Sequence, residues 1–368
     1  MKIVIGTGGS GGHLFPALKV AEELRRQGHE IFFIGSFRET ALDKIQKSSF
    51  AFENLLIQGF TTQNPAKFFL SLRLMGRAYG QSRRFLKELK PHVVVGFGGY
   101  GSFPVVLAAI FLRIPTLIHE QNVVVGRANR VLAQGARRVA ITFKETQRFF
   151  KKEKTVLTGC PCNVSRRQLD RSGLLKEFQL ETDRLTMLVS GGSQGSHRIN
   201  TIVVESLKIL KNKCSLQVIH LAGTKDFTDL KIRYQELGIP FALFDFLDNM
   251  EKAYSVADFV VARAGAVTVT EIAMAQRPAI FIPYPLAGGH QLYNAKVLSE
   301  AGAARIIEEK DLSASRLVQD ILDIIESRKD FKDIFRRMEN FRYPDAAQRI
   351  ARETVELGLT PKMKFLRR

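Results

Sequence analysis

Two hydrophobic periods alternate along the chain, and the change from one to the other recurs in a fixed unit. Residues 2–5 form a short β-branched run. After the glycine-rich stretch Gly6-Thr7-Gly8-Gly9-Ser10-Gly11-Gly12-His13, residues Leu14, Ala17, Leu18, Ala21 and Leu24 follow at helical spacing. That order predicts strand, glycine loop, helix. Pro16 is expected in the first helical turn, where its missing N–H is not needed, and Gly28 at the far end, where a left-handed residue closes the helix. The unit returns midway: residues 185–189 are apolar, Ser190-Gly191-Gly192-Ser193-Gln194-Gly195 is the loop, and Ile199, Ile202, Val203 and Leu207 continue at helical spacing.

Further strand candidates are 31–34, 92–95, 116–118 and 139–141, then 217–221, 259–262 and 279–282, with helical stretches between them. Such alternation predicts parallel α/β sheets, and the repeated founding unit predicts two similar halves. Gly159 and Pro161 interrupt both periods, and Pro344-Asp345 precedes one more helical pattern through Ile350 and Val355. The expected organisation is a first domain at 1–160, a second at 161–342, and a final helix with a basic tail at 343–368. A length of 368 residues agrees with two domains, because single cores rarely exceed about 250 to 300 residues.

Composition narrows the class. Apolar residues make up 45% and charged residues 25%, without a low-complexity tract, so the whole chain is expected to fold. Lys and Arg outnumber Asp and Glu by 55 to 36, a formal charge of +19 that attracts polyanions or an anionic membrane without choosing between them. Cys160, Cys162 and Cys214 are odd in number and lack zinc-site spacing, so they read as reduced thiols. Met1 and Lys2 run directly into the first strand without a signal peptide, which gives a cytoplasmic expectation. The longest apolar run, 103–112, is too short to span a bilayer, so membrane contact is expected to be peripheral.

A glycine loop before a helix offers backbone N–H groups at the positive end of the helix dipole and holds a phosphate without lysine or metal. A dinucleotide site wants an acidic residue at the end of the second strand, where this chain has Ile34-Gly35-Ser36. No Walker lysine follows either loop. A nucleotide-sugar diphosphate remains the best ligand. His13 stands at the mouth of the first helix, where the dipole disfavours imidazolium; it is either a neutral general base or a residue that caps or packs near the loop. Thr268-Val269-Thr270-Glu271 matches a capping box, and Glu271 alternatively clasps two ribose hydroxyls. Across 67–90, Phe68, Leu72, Met75, Tyr79 and Leu86 share one expected core face. Leu70 and Leu74 lie off it beside Arg73, Arg77 and Arg84, a combination suited to an anionic bilayer surface.

Five ordered motifs resemble the MurG family, the peptidoglycan N-acetylglucosaminyltransferases. They are Gly8-Gly9-Ser10-Gly11-Gly12-His13-Leu14-Phe15-Pro16, Gly98-Gly99-Tyr100, His119-Glu120-Gln121-Asn122, Gly191-Gly192-Ser193-Gln194-Gly195, and Arg263-Ala264-Gly265-Ala266 through Glu271. The resemblance implies a GT-B fold of two Rossmann-like parallel-sheet domains facing across a cleft, with the last helix returning to the first domain. It implies inverting transfer of GlcNAc from UDP-GlcNAc to the C4 hydroxyl of MurNAc in undecaprenyl-pyrophosphoryl-MurNAc-pentapeptide (lipid I), giving lipid II, with no metal and no cofactor.

By the same resemblance His13 is the base candidate and Glu120 a second catalytic candidate. Ser10, Gly11, Gly12, Ser193, Gln194, Gly195, Arg263, Ala266, Thr268, Glu271, Gln291 and Asn294 fall on the donor side, and Tyr100, Asn122 and Asn129 on the acceptor side. Phe69, Leu70, Arg73, Leu74, Arg77 and Arg84 are the expected membrane contacts, on the cytoplasmic face of the inner membrane. Cell-wall or division-complex proteins are the implied partners, and no nucleic acid. Two positions depart from the family. Gly159-Cys160-Pro161-Cys162-Asn163 puts Asn163 where an arginine reaches the nucleotide, with Arg166 or Arg167 as its replacement, and a glutamine pair is here His290-Gln291. The alternatives are a related GT-B enzyme acting on diacylglycerol or another lipid, and a basic nucleic-acid-binding α/β protein.

Overall fold

The structure, a computed structural model, describes residues 1–37, 39–57, 65–165, 169–327 and 331–360. The chain divides into two units, Met1–Cys162 with Asp345–Arg368, and Asn163–Pro344.

The first unit is built on β1 (Lys2–Gly8), β2 (Glu30–Ser36), β3 (Ala51–Asn54), β4 (Val93–Gly96), β5 (Thr116–Glu120), β6 (Arg138–Ile141) and β7 (Thr155–Leu157). All pairings are parallel, in the order β3-β2-β1-β4-β5-β6-β7. Alternation along each strand splits the core between two faces. Ile3, Ile5, Val93 and Val95 pack on Leu14, Ala17, Ala21 and Leu24 of the helix Gly11–Arg26 and on Ile350, Ala351 and Leu357 of the last helix, Ala346–Leu359. Val4, Val94 and Ile118 pack on Val105, Val106 and Ala109 of the helix Ser102–Phe111. That helix is the longest apolar run of the sequence, and it lies in the core; among the described residues no helix is long and apolar enough to cross a membrane. The last helix is further tied to the first unit by the Glu353–Arg138 ion pair at 3.2 Å.

The second unit holds β8 (Leu185–Ser190), β9 (Leu216–Leu221), β10 (Phe241–Phe244), β11 (Phe259–Ala262), β12 (Ala279–Phe281) and β13 (Ala304–Ile306), all parallel, in the order β10-β9-β8-β11-β12-β13. Met187, Val189, Val218 and Val261 pack on Ile199, Val203 and Leu207 of the helix His197–Leu210. In each sheet the strand order reverses beside the founding strand, between β1 and β4 and between β8 and β11. At such a switch point the two neighbouring loops leave in opposite directions and open a crevice at the carboxyl ends of the strands.

Gly28 closes the first helix as expected, with φ +83° and its N–H on the Arg25 carbonyl at 2.9 Å. Pro16 departs from expectation. The helix begins at Gly11, so Pro16 sits in its second turn and removes the bond to the carbonyl of Gly12, an exposed residue.

Candidate active site

Both glycine loops stand at the switch points. In the first unit, Gly98 and Gly99 follow β4 with φ of +86° and +76°. A β-carbon on Gly98 would stand 3.2 Å from His13 Cε1 and Nδ1, and one on Gly99 3.2 Å from His13 Cδ2. These glycines are therefore required twice, by backbone conformation and by the ring packed on them. Ser10 caps the helix through its backbone only, and Ser10 and Gly12 are exposed beside His13 while Gly11 is half-buried. Burial lowers the His13 pKa below the ordinary imidazole range. Glu120, the Gln121 side chain and the Phe97 carbonyl pull it the other way, but Nδ1 forms no hydrogen bond of normal geometry. Burial thus favours the neutral ring, whose Nδ1 is buried without a partner.

Glu120 ends β5 and is buried, and both of its oxygens are engaged. Oε1 accepts from the Asn122 N–H at 3.0 Å and Asn122 Nδ2 at 3.3 Å; Oε2 accepts from the Gly126 N–H at 3.1 Å and Asn129 Nδ2 at 2.9 Å. The carboxylate shapes the loop 120–126 and leaves little capacity to take a substrate proton. Asn129 also reaches the His119 carbonyl at 3.3 Å, so it braces the same loop from inside. Tyr100, by contrast, is 57% exposed and free to meet a ligand. His119 Nε2 donates to the carbonyl of Gly159 at 3.0 Å, and burial pushes this histidine down to about 4. Sequence reasoning gave it no role; it fixes the end of the first unit where the chain crosses over.

In the second unit the loop after β8 frames a pocket of about 400 Å³, lined among others by Gly191, Gly195, Arg263, Thr268 and Gln291. Gly192 and Gly195 have φ of +89° and +72°, and the Gly195 N–H closes the turn on the Gly192 carbonyl at 2.9 Å. Gly195 is thus not a free donor. The open donors belong to Ser196, His197 and Arg198, which start the helix His197–Leu210 and have no carbonyl one turn earlier. Ser193 and Gln194 are exposed on the loop itself.

Arg263 follows β11 and is buried. Its Nη2 donates to Ser196 Oγ at 2.8 Å, its Nη1 to the Ile282 carbonyl at 3.1 Å and to Glu309 Oε2 at 2.5 Å, and its guanidinium lies 5.3 Å from the Tyr284 ring centroid. Gln291 Oε1 accepts from the N–H groups of Ala264 and Tyr284 at 3.1 and 3.0 Å, so its amide NH₂ is the end left for a ligand. Asn294 is fully buried and donates to the Ala264 carbonyl at 3.2 Å, which places it beneath the loop rather than at its surface. Asn163, the first residue of this unit, is half-buried and outside the pocket lining. Arg166 and Arg167 lie outside the described residues.

The capping-box reading of Thr268 to Glu271 fails. The helix is Ala266–Ala275 with Gly265 as its N-cap, so Glu271 sits in the second turn, far from the orphan N–H groups. Its Oε2 accepts from the Tyr254 hydroxyl at 3.2 Å, and burial of the carboxyl group pushes its pKa to about 7, although part of the residue reaches solvent. Sequence reasoning missed Ser196, His197, Tyr284 and Glu309. The first two directly follow the glycine loop, which was a usable signal; the others come from distant segments that only the fold assembles.

The helix Pro65–Leu89 buries Ser71, Met75, Ala78, Ser82 and Leu86. Phe68 and Leu72, expected in the core, are exposed instead, because the buried stripe runs through the small residues Ser71 and Ala78; Leu74, expected outside, is half-buried. Phe69 and Leu70 are exposed at 67% and 46%, and Arg73, Arg77 and Arg84 are exposed as well. Phe111, 68% exposed, extends the apolar surface, with Tyr79 packed edge-on at 6.3 Å. Arg84 is paired with Glu88 at 2.8 Å.

Two parallel α/β units, each with a glycine loop and helix N-terminus at its switch point, give the GT-B architecture. Residues 3–141 match the glycosyltransferase family 28 N-terminal domain and residues 186–350 its C-terminal domain. The UDP-N-acetylglucosamine--N-acetylmuramyl-(pentapeptide) pyrophosphoryl-undecaprenol N-acetylglucosamine transferase of Halothermothrix orenii is 40% identical over 90% of this chain and 92% of its own. The enzyme of the same name from Geobacter metallireducens is 39% identical over 96% and 98%. The crystal structure of Acinetobacter baumannii MurG superposes with a TM-score of 0.76 at 30% identity, covering 97% of this chain and all of that one. The chain belongs to the MurG family of glycosyltransferases.

Proposed function

We propose that this protein transfers GlcNAc from UDP-GlcNAc to the C4 hydroxyl of MurNAc in lipid I, with inversion, and so makes lipid II for peptidoglycan synthesis. The observation that carries this reading is the pocket at the second switch point. There, helix N–H groups and the Arg263-braced Ser196 gather where a diphosphate needs donors. As the glycosidic bond to UDP breaks, negative charge grows on the diphosphate, and fixed dipoles that need no reorientation stabilise it.

In the first unit the neutral His13 imidazole takes the proton from the acceptor hydroxyl as that oxygen attacks the anomeric carbon. Glu120 and Asn129 hold the acceptor loop in shape for it. Glu271 clasps the ribose of the donor through Oε1, which has no hydrogen-bond partner among the described residues. The exposed Phe69, Leu70 and Leu72 with Arg73 and Arg77 rest on the anionic cytoplasmic face of the membrane that carries the lipid substrate. Among the described residues no group of three or more His, Cys, Asp or Glu is arranged to hold a metal ion.

The test is transfer of labelled GlcNAc from UDP-GlcNAc to a lipid I analogue, with diacylglycerol as the competing acceptor. Product with lipid I alone supports the reading; product with diacylglycerol alone rejects it.

A further inference from the structure

The second unit contains a polar chain, running from its core to the pocket, that the transfer just described does not use. The fully buried Tyr234 donates its hydroxyl to His220 Nδ1 at 2.8 Å, and His220 Nε2 lies 3.0 Å from Asn200 Oδ1. Asn200 Nδ2 donates to the Ala222 carbonyl at 2.9 Å and to Asp226 Oδ2 at 2.8 Å. Asp226 Oδ1 lies 3.1 Å from His197 Nδ1. Every role along the chain is fixed by chemistry. The Asn200 nitrogen faces a carbonyl and a carboxylate, so its oxygen faces His220, whose Nε2 carries the hydrogen and whose Nδ1 accepts from Tyr234.

Buried polar groups are costly unless each finds a partner, and here each does. The series ends at one exposed group, the His197 imidazole, 79% exposed at the first helical position and lining the pocket. Asp226 is the N-cap of the helix Phe227–Leu237 but makes no side-chain cap bond, so its carboxylate serves the network and not its own helix.

We propose that His197, oriented by Asp226, is a contact to the donor diphosphate. Asp226 holds Nδ1–H, and in the imidazolium form Nε2–H donates to a phosphate oxygen. The charged groups lining the pocket with it are Arg198, Arg263 and Glu309, the last two paired with each other. This rests on the reading of the pocket as the diphosphate site. It adds to that reading a side chain that recognises the phosphates specifically and a carboxylate that positions it.

Calorimetry with UDP and with uridine, on the full chain and on His197→Ala and Asp226→Asn, tests it. His197→Ala is expected to weaken UDP binding on the order of tenfold, the worth of a charge-assisted hydrogen bond, with uridine affinity unchanged. Asp226→Asn is expected to shift UDP affinity in the same direction. Equal UDP affinity in His197→Ala, or parallel loss of UDP and uridine, overturns the proposal. Failure of the wild type to bind UDP overturns instead the reading of the pocket on which it rests.

Discussion

The imidazole of His13 and the backbone of Gly98 are in contact, so close that a β-carbon at position 98 would stand 3.2 Å from both Cε1 and Nδ1. With φ at +86°, position 98 also disfavours any L side chain. Gly98→Ala is therefore expected to destabilise the first unit by about 1 to 2 kcal/mol and to displace the ring. Thermal denaturation and steady-state kinetics check this: kcat should fall while KM for UDP-GlcNAc holds. An unaltered kcat would separate the ring's position from the chemistry.

Glu271 gives a pH dependence with a definite sign. Its folded pKa, near 7, stands above the ordinary value of 4.5. Its contribution to stability is therefore fully present below 4.5 and is lost as pH rises through 7. Donor binding runs the other way, since clasping ribose hydroxyls needs the ionised carboxylate. UDP-GlcNAc affinity should rise roughly three- to tenfold from pH 6 to pH 8, and Glu271→Gln should flatten that rise. A wild-type affinity that is level across this range contradicts the assignment.

The two founding units were legible because each combines a β-branched run, a glycine loop and a helical stripe, signals that reinforce one another. The edge strands Ala51–Asn54, Thr155–Leu157, Phe241–Phe244 and Ala304–Ile306 were not. Each has only three or four residues and is partly buried, too short for a period to show. At the site, the glycine loops, Arg263 and Glu271 were visible in sequence, but their partners were not. Arg263 meets Ser196, 67 residues away, because β11 pairs with β8, and Glu271 meets Tyr254, 17 residues away, because their two helices pack together.

The four hydrogen bonds to Glu120 make its carboxylate a poor candidate for an isosteric change. Glu120→Gln replaces an acceptor with an NH₂ group facing two donors, and should cost about 2 to 3 kcal/mol in stability of the first unit. Chemical denaturation measures this. A variant as stable as the wild type would show that the loop 120–126 is held by other contacts.

On the helix Pro65–Leu89, Arg73→Glu with Arg77→Glu is expected to abolish sedimentation with vesicles containing anionic lipid, and Phe69→Asp to weaken it. Adding Arg84→Glu should change less, because Arg84 is already paired with Glu88. Sedimentation of the double variant at the wild-type level would move the membrane contact to another surface.

Transfer by this mechanism requires the donor diphosphate to sit on the second of two similar glycine loops. A crystal structure with bound UDP decides this directly. The expected result places the phosphates within hydrogen-bonding distance of the N–H groups that open the helix His197–Leu210, with the ribose at Glu271. Phosphates bound instead at the loop 8–12 of the first unit, or no UDP in either loop at saturating concentration, would contradict it.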